Sequence, residues 1–317
     1  MTKRALIIGI SGQDGAYLAH HLLALGYEVI GTSRDADNNA FVNLQRFDIK
    51  EKITTDSLLT TDFRSVAQAL QKYSPQEVYN LSGQSSVGLS FNQPGETIES
   101  HLQATINILE VIKFLDLPIR FYNACSSECF GDVSPEMPAN EESPFRPRSP
   151  YAVGKSAAFW AVTNYREAYD LFACSGILGN HESPLRPERF VTQKIIRTAQ
   201  QIANGSTGSL TLGDTSVIRD WGLSEDYVQA MVLMLQQEQA QDFVIATGES
   251  CSLQDFVRMS FAELGLDFEK YLKVDQSFFR PSDIRASYLD PSKANTVLRW
   301  QAKGRVKQVI QALFSDM

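Results

Sequence analysis

Residues 5–15 read ALIIGISGQDG, a short apolar run that leads directly into three glycines spaced as GxxGxxG. The run from Ala5 to Ile8 is typical of a buried parallel strand, and the amphipathic stretch after it predicts a helix. Glycines at a strand–helix turn let the backbone approach a pyrophosphate, whose charge is bound by the amides at the helix start. A tight turn can also need glycine without a ligand, so the position in this unit carries the argument. We predict a dinucleotide site at Gly9, Gly12, Gln13, Asp14 and Gly15.

The strand–helix pattern of this stretch recurs along the first half of the chain. Apolar runs predict strands near 5–8, 27–30, 57–59, 78–81, 120–124 and 172–178. Helical stretches lie between them, near 15–25, 64–73, 97–116 and 151–169. This alternation predicts an α/β fold, a doubly wound, Rossmann-like parallel sheet. We expect a dinucleotide-binding domain over residues 1–178 and a smaller C-terminal α/β substrate lobe over 179–317, whose chain could cross back into the first domain.

Composition limits the classes of partner. The chain has 317 residues and a formal charge of −8, which argues against nucleic-acid binding because such proteins carry a basic face. The four cysteines are sparse, and Cys125 and Cys129 lack the spacing and the nearby histidines of a metal site, so we expect no metal. The first ten residues hold too short an apolar run for a signal peptide or a membrane span. We expect a cytoplasmic protein with reduced thiols and no membrane partner.

Two short motifs indicate catalysis. Tyr151 precedes Lys155 by four residues, so both side chains lie on one face of a helix, where the ammonium is expected to lower the phenol's pKa from about 10 towards neutrality. Ser126 and Glu128 follow the predicted strand at 120–124 and thus lie at its carboxyl end. Glu128 adds a proton-transfer group that eliminating water needs and simple alcohol oxidation does not. A chance tyrosine–lysine spacing and a capping or salt-bridged Glu128 remain the alternatives.

The end of the second strand bears on the choice of cofactor. An acidic residue there would hold the ribose hydroxyls of NAD, whereas this chain has Arg34, which can pair with the 2′-phosphate of NADP. Asp35 follows directly, so NAD stays the less favoured alternative. Asp62 and Phe63, after the third strand, are expected to flank the adenine, and Asp62 can also cap the helix that begins at residue 64.

Longer motifs resemble the GDP-mannose 4,6-dehydratase family, in the extended branch of the short-chain dehydrogenase/reductase superfamily. The similarity covers nearly the whole chain. It is carried by GISGQDGAYLA at 9–19, PQEVYNLSGQSSVG at 75–88, SSECFG at 126–131, PFRPRSPYAVGK at 144–155, GILGNHESPLR at 176–186, FVTQK at 190–194, RDWG at 219–222, DFVIATGE at 242–249, FFRP at 278–281 and DPSKA at 290–294. NHESP followed by RDWG discriminates best against a sister reductase that shares the serine–glutamate and tyrosine–lysine elements.

The resemblance implies roles for individual positions. The catalytic group would be Ser126, Glu128, Tyr151 and Lys155. Further cofactor contacts would come from Leu81, Gly83, His181 and Arg186. Substrate contacts would come from Ser85, Asn180, Val191, Lys194, Arg219 and Arg280, with the two arginines gripping the nucleotide diphosphate.

The family's activity implies that a GDP-sugar is dehydrated through bound NADP to a GDP-4-keto-6-deoxy sugar. Relatives acting on GDP-heptose share these motifs, so mannose and heptose both stay open. A reductase or epimerase of the same fold is one alternative, and a non-catalytic nucleotide-binding protein is another. The resemblance implies a homodimer built from the helices near 97–116 and 151–169. Residues 35–40 are short and acidic where the family has a longer arginine-rich loop, which gives less support for a tetramer.

Overall fold

The computed structural model describes residues 2–315. Its strands are β1 (Arg4–Ile8), β2 (Glu28–Ser33), β3 (Thr54–Ser57), β4 (Glu77–Asn80), β5 (Arg120–Ser126), β6 (Ala173–Leu178), β7 (Asn180–Glu182), β8 (Leu210–Leu212), β9 (Ile218–Leu223), β10 (Phe243–Ile245), β11 (Ser250–Ser252) and β12 (Leu272–Val274). Its α-helices are α1 (Gln13–Ala24), α2 (Val42–Arg46), α3 (Phe63–Tyr73), α4 (Val87–Ser90), α5 (Pro94–Ile98), α6 (Ala104–Phe114), α7 (Pro150–Tyr169), α8 (Val191–Ala203), α9 (Ser224–Leu235), α10 (Leu253–Glu263) and α11 (Val306–Ser315).

A seven-stranded parallel sheet in the order β10-β6-β5-β4-β1-β2-β3 forms the centre of the protein. Strand β1 lies between β2 and β4, with Ile8 opposite both Thr32 and Asn80. The strand order reverses direction at β1, and doubly wound sheets bind their ligands in the crevice beyond the carboxyl ends at such a point. The α/β, Rossmann-like fold predicted from the sequence is confirmed.

Helices cover both faces of the sheet because successive side chains of a strand point to opposite sides. Ala5 and Ile7 of β1 pack in one core with α1 and α9. Leu6 and Ile8 pack in the other core with α3, α6 and α7. The continuous apolar run of β1 is therefore buried from both directions, as expected for a central parallel strand.

A second lobe follows β6. Strands β11, β9 and β7 form a three-stranded sheet, β12 pairs with β8, and helices α8, α10 and α11 close a separate core around Phe256. Because β7 begins two residues after β6 ends, this lobe starts at the carboxyl edge of the large sheet. The chain then returns: α9 packs on α1, and β10 adds to β6 as the seventh strand.

Two elements differ from the sequence predictions. The strand predicted at 57–59 is wrong, because β3 occupies Thr54–Ser57 and its polar residues form an edge strand. The helix predicted at 97–116 is divided by a π-helical segment at Glu99–Gln103 between α5 and α6. Within residues 2–315, none of the helices is both long enough and apolar enough to traverse a bilayer.

Candidate active site

The glycine turn joins β1 to α1. Gly9 has a φ of +89°, and a Cβ there would lie 3.0 Å from the Leu81 carbonyl carbon. A Cβ on Gly15 would lie 2.5 Å from the Gly9 carbonyl oxygen, so both glycines are required by the turn itself. At Gly12, the N-cap of α1, a Cβ would meet nothing closer than 3.4 Å. The chain's own packing therefore does not explain Gly12, whereas a closely approaching pyrophosphate does.

Side chains from this turn bind the second lobe. His181 Nε2 lies 2.9 Å from Asp14 Oδ2, Gln13 Nε2 donates to the His181 carbonyl at 3.2 Å, and Ser183 Oγ donates to Gln13 Oε1 at 2.8 Å. Burial raises the pKa of Asp14, but the charge and hydrogen bond of His181 outweigh it and lower that pKa to about 2. Burial alone would lower the pKa of His181, but the charge and hydrogen bond of Asp14 raise it. The side chains of Gln13, Asp14 and His181, all predicted to contact the cofactor, thus form bonds within the protein.

A cavity of about 430 Å³ opens at the carboxyl end of β2. It is lined by Ser11, Ser33, Arg34, Asp35, Asn38, Asn39 and Ala40. Asp35 accepts hydrogen bonds from the amide and the side chain of Asn38, at 3.1 and 2.8 Å, and these bonds lower its pKa. Asp35 is thus bonded within its own loop, and Arg34 is the cation that lines the cavity.

The remaining predicted cofactor positions lie along the same edge of the sheet. Leu81 donates its amide to the Ile8 carbonyl at 2.9 Å, and Gly83 has a φ of +111°. Asp62 caps α3 by accepting from the Arg64 amide at 2.9 Å, so the capping role considered for it is present. The Phe63 ring beside it is 40% exposed and meets Phe114 edge-on, with ring centres 6.1 Å apart.

The four predicted catalytic residues come from three elements: β5, the 3-10 helix that follows it (Ser127–Phe130), and α7. Ser126 ends β5, and its Oγ accepts from the Glu128 amide at 3.3 Å in the 3-10 helix that follows. Ser149 caps α7 by accepting from the Ala152 amide at 3.1 Å, and this start places Tyr151 in the first turn. Lys155 follows one turn later on the same helix. The end of β5 and the start of α7 therefore bring the hydroxyl, the carboxylate and the phenol to one edge of the sheet.

The ionisation of Tyr151 differs from the prediction. Burial raises the pKa of Tyr151, and the hydrogen bond with Ser126 opposes this only in part. Lys155 Nζ lies 5.9 Å from the centre of the phenol ring and donates to the Ala124 carbonyl at 2.7 Å. The expected lowering by lysine is therefore wrong for the protein as it stands, because the ammonium is bonded to the backbone and desolvation of the phenolate dominates.

The Glu128 side chain is 13% exposed, and its Oε1 lies 3.5 Å from Arg219 Nε. Burial raises the pKa of Glu128, Asp283 reinforces this effect, and Arg219 and Arg280 oppose it. The salt-bridged arrangement considered from the sequence is thus present. A carboxyl with a raised pKa, held beside a phenol and a serine, is a suitable proton acceptor near neutral pH.

The two predicted diphosphate arginines share one carboxylate. Arg219 and Arg280 lie 3.1 and 3.0 Å from Asp283 Oδ1. The Arg219 side chain is only 7% exposed, whereas that of Arg280 is 35% exposed. Two cations thus lie on one carboxylate, and we call Arg219, Arg280 and Asp283 together the arginine fork.

The other predicted ligand positions lie on several different elements. Lys194 Nζ donates to the Thr211 carbonyl at 2.7 Å and lies 4.9 Å from the centre of the Phe278 ring. Arg186 pairs with Glu182 at 3.3 Å. Asn180 begins β7, Val191 begins α8 and is 36% exposed, and Ser85 is exposed in the loop after β4.

Sequence reasoning missed one residue of this site. His101 lies in the π-helical segment and packs edge-on against the Tyr151 ring, with ring centres 5.3 Å apart. No spacing motif marks it, since a π-helical turn has no sequence period of its own.

The cysteines and the acidic side chains are also residue types that can ligate metals. Across residues 2–315, no group of three or more His, Cys, Asp or Glu side chains is arranged to hold a metal ion. All four cysteines are free, and the Sγ atoms of Cys125 and Cys129 lie 3.7 Å apart.

Comparison with known proteins places this site in a family. A family model described as GDP-mannose 4,6 dehydratase matches residues 6–313. GDP-mannose 4,6 dehydratase 2 of Arabidopsis thaliana is 41% identical over 324 residues, which cover 99% of this chain and 86% of that protein. Two solved structures share the fold. The dTDP-glucose 4,6-dehydratase of Bacillus anthracis in complex with NAD superposes with a TM-score of 0.86 at 17% identity, covering 99% of this chain and 96% of that one. RMD of Pseudomonas aeruginosa complexed with NADPH gives 0.82 at 22% identity, covering 100% and 97%.

Proposed function

Because the chain belongs to the GDP-mannose 4,6-dehydratase family, we propose that it dehydrates GDP-mannose, or a close GDP-sugar, to the GDP-4-keto-6-deoxy sugar. The observation that carries this proposal is Glu128, a buried carboxylate with a raised pKa beside the Ser126–Tyr151 pair. A plain alcohol dehydrogenase needs no such group, whereas elimination needs a base at the carbon next to the ketone. The activity is that of a hydro-lyase.

The family uses NAD or NADP, and we assign NADP to this chain. The support is the fit of the residues: an uncapped helix start at Gly12 for the pyrophosphate, and a cavity lined by Arg34 beyond it. Asp35 also lines the cavity, but its carboxylate is engaged by two hydrogen bonds from Asn38 in its own loop. When bound, NADP would supply the redox chemistry, as acceptor of the hydride from sugar carbon 4 and as its donor to carbon 6.

The protein's own residues move the protons. Tyr151, assisted by Ser126, takes the proton of the carbon 4 hydroxyl while the ketone forms. This step requires that the positive charge of bound NADP's nicotinamide offset the burial that raises the phenol's pKa. The ketone acidifies the hydrogen at carbon 5, and Glu128 takes that proton. Glu128 then gives it to the hydroxyl that departs from carbon 6 as water. Tyr151 finally returns its proton to carbon 5, so that both groups end as they began. Each transfer contributes about 100-fold or more to the rate.

Substrate binding is assigned to the second lobe. We assign the diphosphate to Arg219 and Arg280, and the rest of the GDP-sugar groove to Ser85, Asn180, Val191 and Lys194. In this division residues 1–178 carry the dinucleotide, and 179–317 supply most of the sugar-nucleotide contacts, with α9 and β10 returning to the first domain.

Assembly and location follow the same reasoning. We propose a homodimer through α6 and α7, because Phe114, Trp160 and Tyr169 on these helices are 72%, 59% and 47% exposed. Large apolar side chains that a single copy leaves exposed on neighbouring helices are candidates for burial in an interface. We propose a cytoplasmic location, in keeping with four free thiols.

The deciding experiment follows sugar product after incubation with GDP-mannose and no added reductant. We expect the wild type to form a 4-keto-6-deoxy sugar. Glu128→Gln should lower the rate of this reaction by at least about 100-fold and still bind NADP. Glu142→Gln, on an exposed glutamate, is the matched control. Near wild-type dehydration by Glu128→Gln, or stoichiometric consumption of NADPH by the wild type, would contradict the proposal.

A further inference from the structure

His101 occupies a slot that two glycines make. A Cβ on Gly83 would lie 2.5 Å from Cε1 and Nδ1 of the imidazole. A Cβ on Gly154 would lie 3.3 Å from its Cδ2 and 3.2 Å from the Cα of Ile98. The ring is therefore enclosed between the loop after β4 and the catalytic helix α7, and it is 3% exposed. A slot of this shape has room for an imidazole only because both walls lack side chains.

The slot is produced by the π-helical segment. A π-helical turn is wider than an α-helical one, and such turns occur frequently at functional sites. Here the turn at Glu99–Gln103 brings two successive residues, Ser100 and His101, into contact with one loop residue, Gln84. The Gln84 amide donates to Ser100 Oγ at 3.2 Å, and the Gln84 carbonyl lies 2.9 Å from His101 Nε2. Because a carbonyl oxygen can only accept, Nε2 carries the proton and donates.

The same ring contacts the reactive phenol. The imidazole and the Tyr151 ring meet edge-to-face, with their planes at 85° and their centres 5.3 Å apart. Burial and the nearby Lys155 ammonium lower the pKa of His101 well below its usual value, so the imidazole stays neutral beside the phenol. His101 thus touches α7 on one side and holds Gln84, the neighbour of Ser85, on the other.

We propose that His101 is a positioning residue of this dehydratase: its ring fixes the plane of the Tyr151 phenol, and its Nε2–H fixes the loop that carries Ser85 against the sugar. This inference rests on the proposed function. It assigns two separable effects to the two contacts. The ring contact acts on the chemical step, and the hydrogen bond acts on substrate binding.

Two substitutions separate the contacts. His101→Gln keeps a neutral donor for the Gln84 carbonyl but loses the aromatic edge, so we expect kcat to fall about fivefold with KM little changed. His101→Phe keeps the ring but leaves the carbonyl unpaired, so we expect KM for GDP-mannose to rise about tenfold with kcat little changed. His20→Gln, on an exposed histidine remote from the site, is the control and should change neither constant. The inference would be overturned if both variants showed the same combined fall in kcat and rise in KM, or if neither constant changed in either variant.

A measurement without substrate separates this inference from the proposed function. Tyrosine labelled with ¹³C at Cζ gives a Tyr151 resonance, which Tyr151→Phe identifies. We expect His101→Gln to shift or broaden that resonance and His101→Phe to shift it less. If the wild type dehydrates no GDP-sugar but the resonance responds in this order, the positioning role stands and the substrate assignment fails. An unchanged resonance in both variants refutes the positioning role even when the wild type is active.

Discussion

The ion pair between Asp14 and His181 joins the nucleotide turn to the second lobe, and replacing Asp14 by asparagine tests its strength. Burial raises the pKa of Asp14, and the His181 charge and hydrogen bond bring it from 3.8 down to about 2. Gln13 and Arg186 also lower this pKa. One pKa unit corresponds to about 1.4 kcal/mol, so the Asp14 carboxylate with all its partners, His181 the largest of them, contributes roughly 2 kcal/mol to the free energy of unfolding. The His181 side chain is 12% exposed and that of Asp14 is 23% exposed, so screening of the pair by solvent is limited.

The pH dependence of this contribution has a definite sign. The folded pKa of Asp14 is depressed, so its contribution is present above 3.8 and is lost as the pH falls through about 2. The folded pKa of His181 is raised, so its contribution is complete below 6.5 and is lost as the pH rises through the folded value. The pair therefore stabilises the protein most between pH 3.8 and 6.5.

Urea unfolding of the cofactor-free protein at about pH 5 and about pH 9 measures this effect. We expect Asp14→Asn to lower the free energy of unfolding by roughly 2 kcal/mol at the lower pH and by clearly less at the higher one. Asp37→Asn, on an exposed aspartate, should stay within about 0.5 kcal/mol of the wild type at both. An Asp14→Asn effect of equal size at the two pH values would refute the reasoning.

Three further outcomes are expected. Tyr151→Phe should lower the first oxidation by at least about 100-fold while leaving GDP binding unchanged, as measured by single-turnover absorbance at the reduced nicotinamide band and by calorimetry; dehydration within tenfold of the wild type would argue against Tyr151 as the base. Arg34→Gln should weaken NADP binding about tenfold and leave NAD binding unchanged; an equal loss for both cofactors would remove the 2′-phosphate assignment. Gly15→Ala should destabilise the fold by about 1–3 kcal/mol, because its Cβ would lie 2.5 Å from the Gly9 carbonyl oxygen. Gly12→Ala should instead leave stability unchanged and weaken cofactor binding. If Gly12→Ala lowered the thermal unfolding temperature more than Gly15→Ala, the assignment of Gly15 to the turn and Gly12 to the cofactor would be contradicted.

The sequence was most informative where one residue pattern had one physical outcome. The apolar run of β1 predicts a strand buried on both faces, and the helix predicted near 151–169 is present as α7. It was less informative at the sheet edge, where the polar residues of β3 carry no alternation to read. Short strands such as β10 are set by a partner distant in the chain, which no local pattern records.

Within the site, it was easier to predict which residues take part than to predict their ionisation. The tyrosine–lysine spacing correctly put both side chains on α7, yet the direction of the phenol's pKa depended on burial and on the Ala124 carbonyl that holds the lysine. His101 could not be predicted at all, because its position follows from a wide helical turn and from glycines on two other elements. Such information exists only after the chain is folded.

The seventh strand has a consequence for how the protein is made. β10 lies 65 residues after the strand it pairs with, counting from Leu178 to Phe243. Until the ribosome has released that segment, β6 presents unpaired amides and carbonyls to any other nascent chain, which is a recognised route to aggregation. A recombinant fragment that stops after Leu178 would keep that open border permanently. Efforts to produce the nucleotide-binding half alone should therefore supply residues 243–245 in trans or by circular permutation.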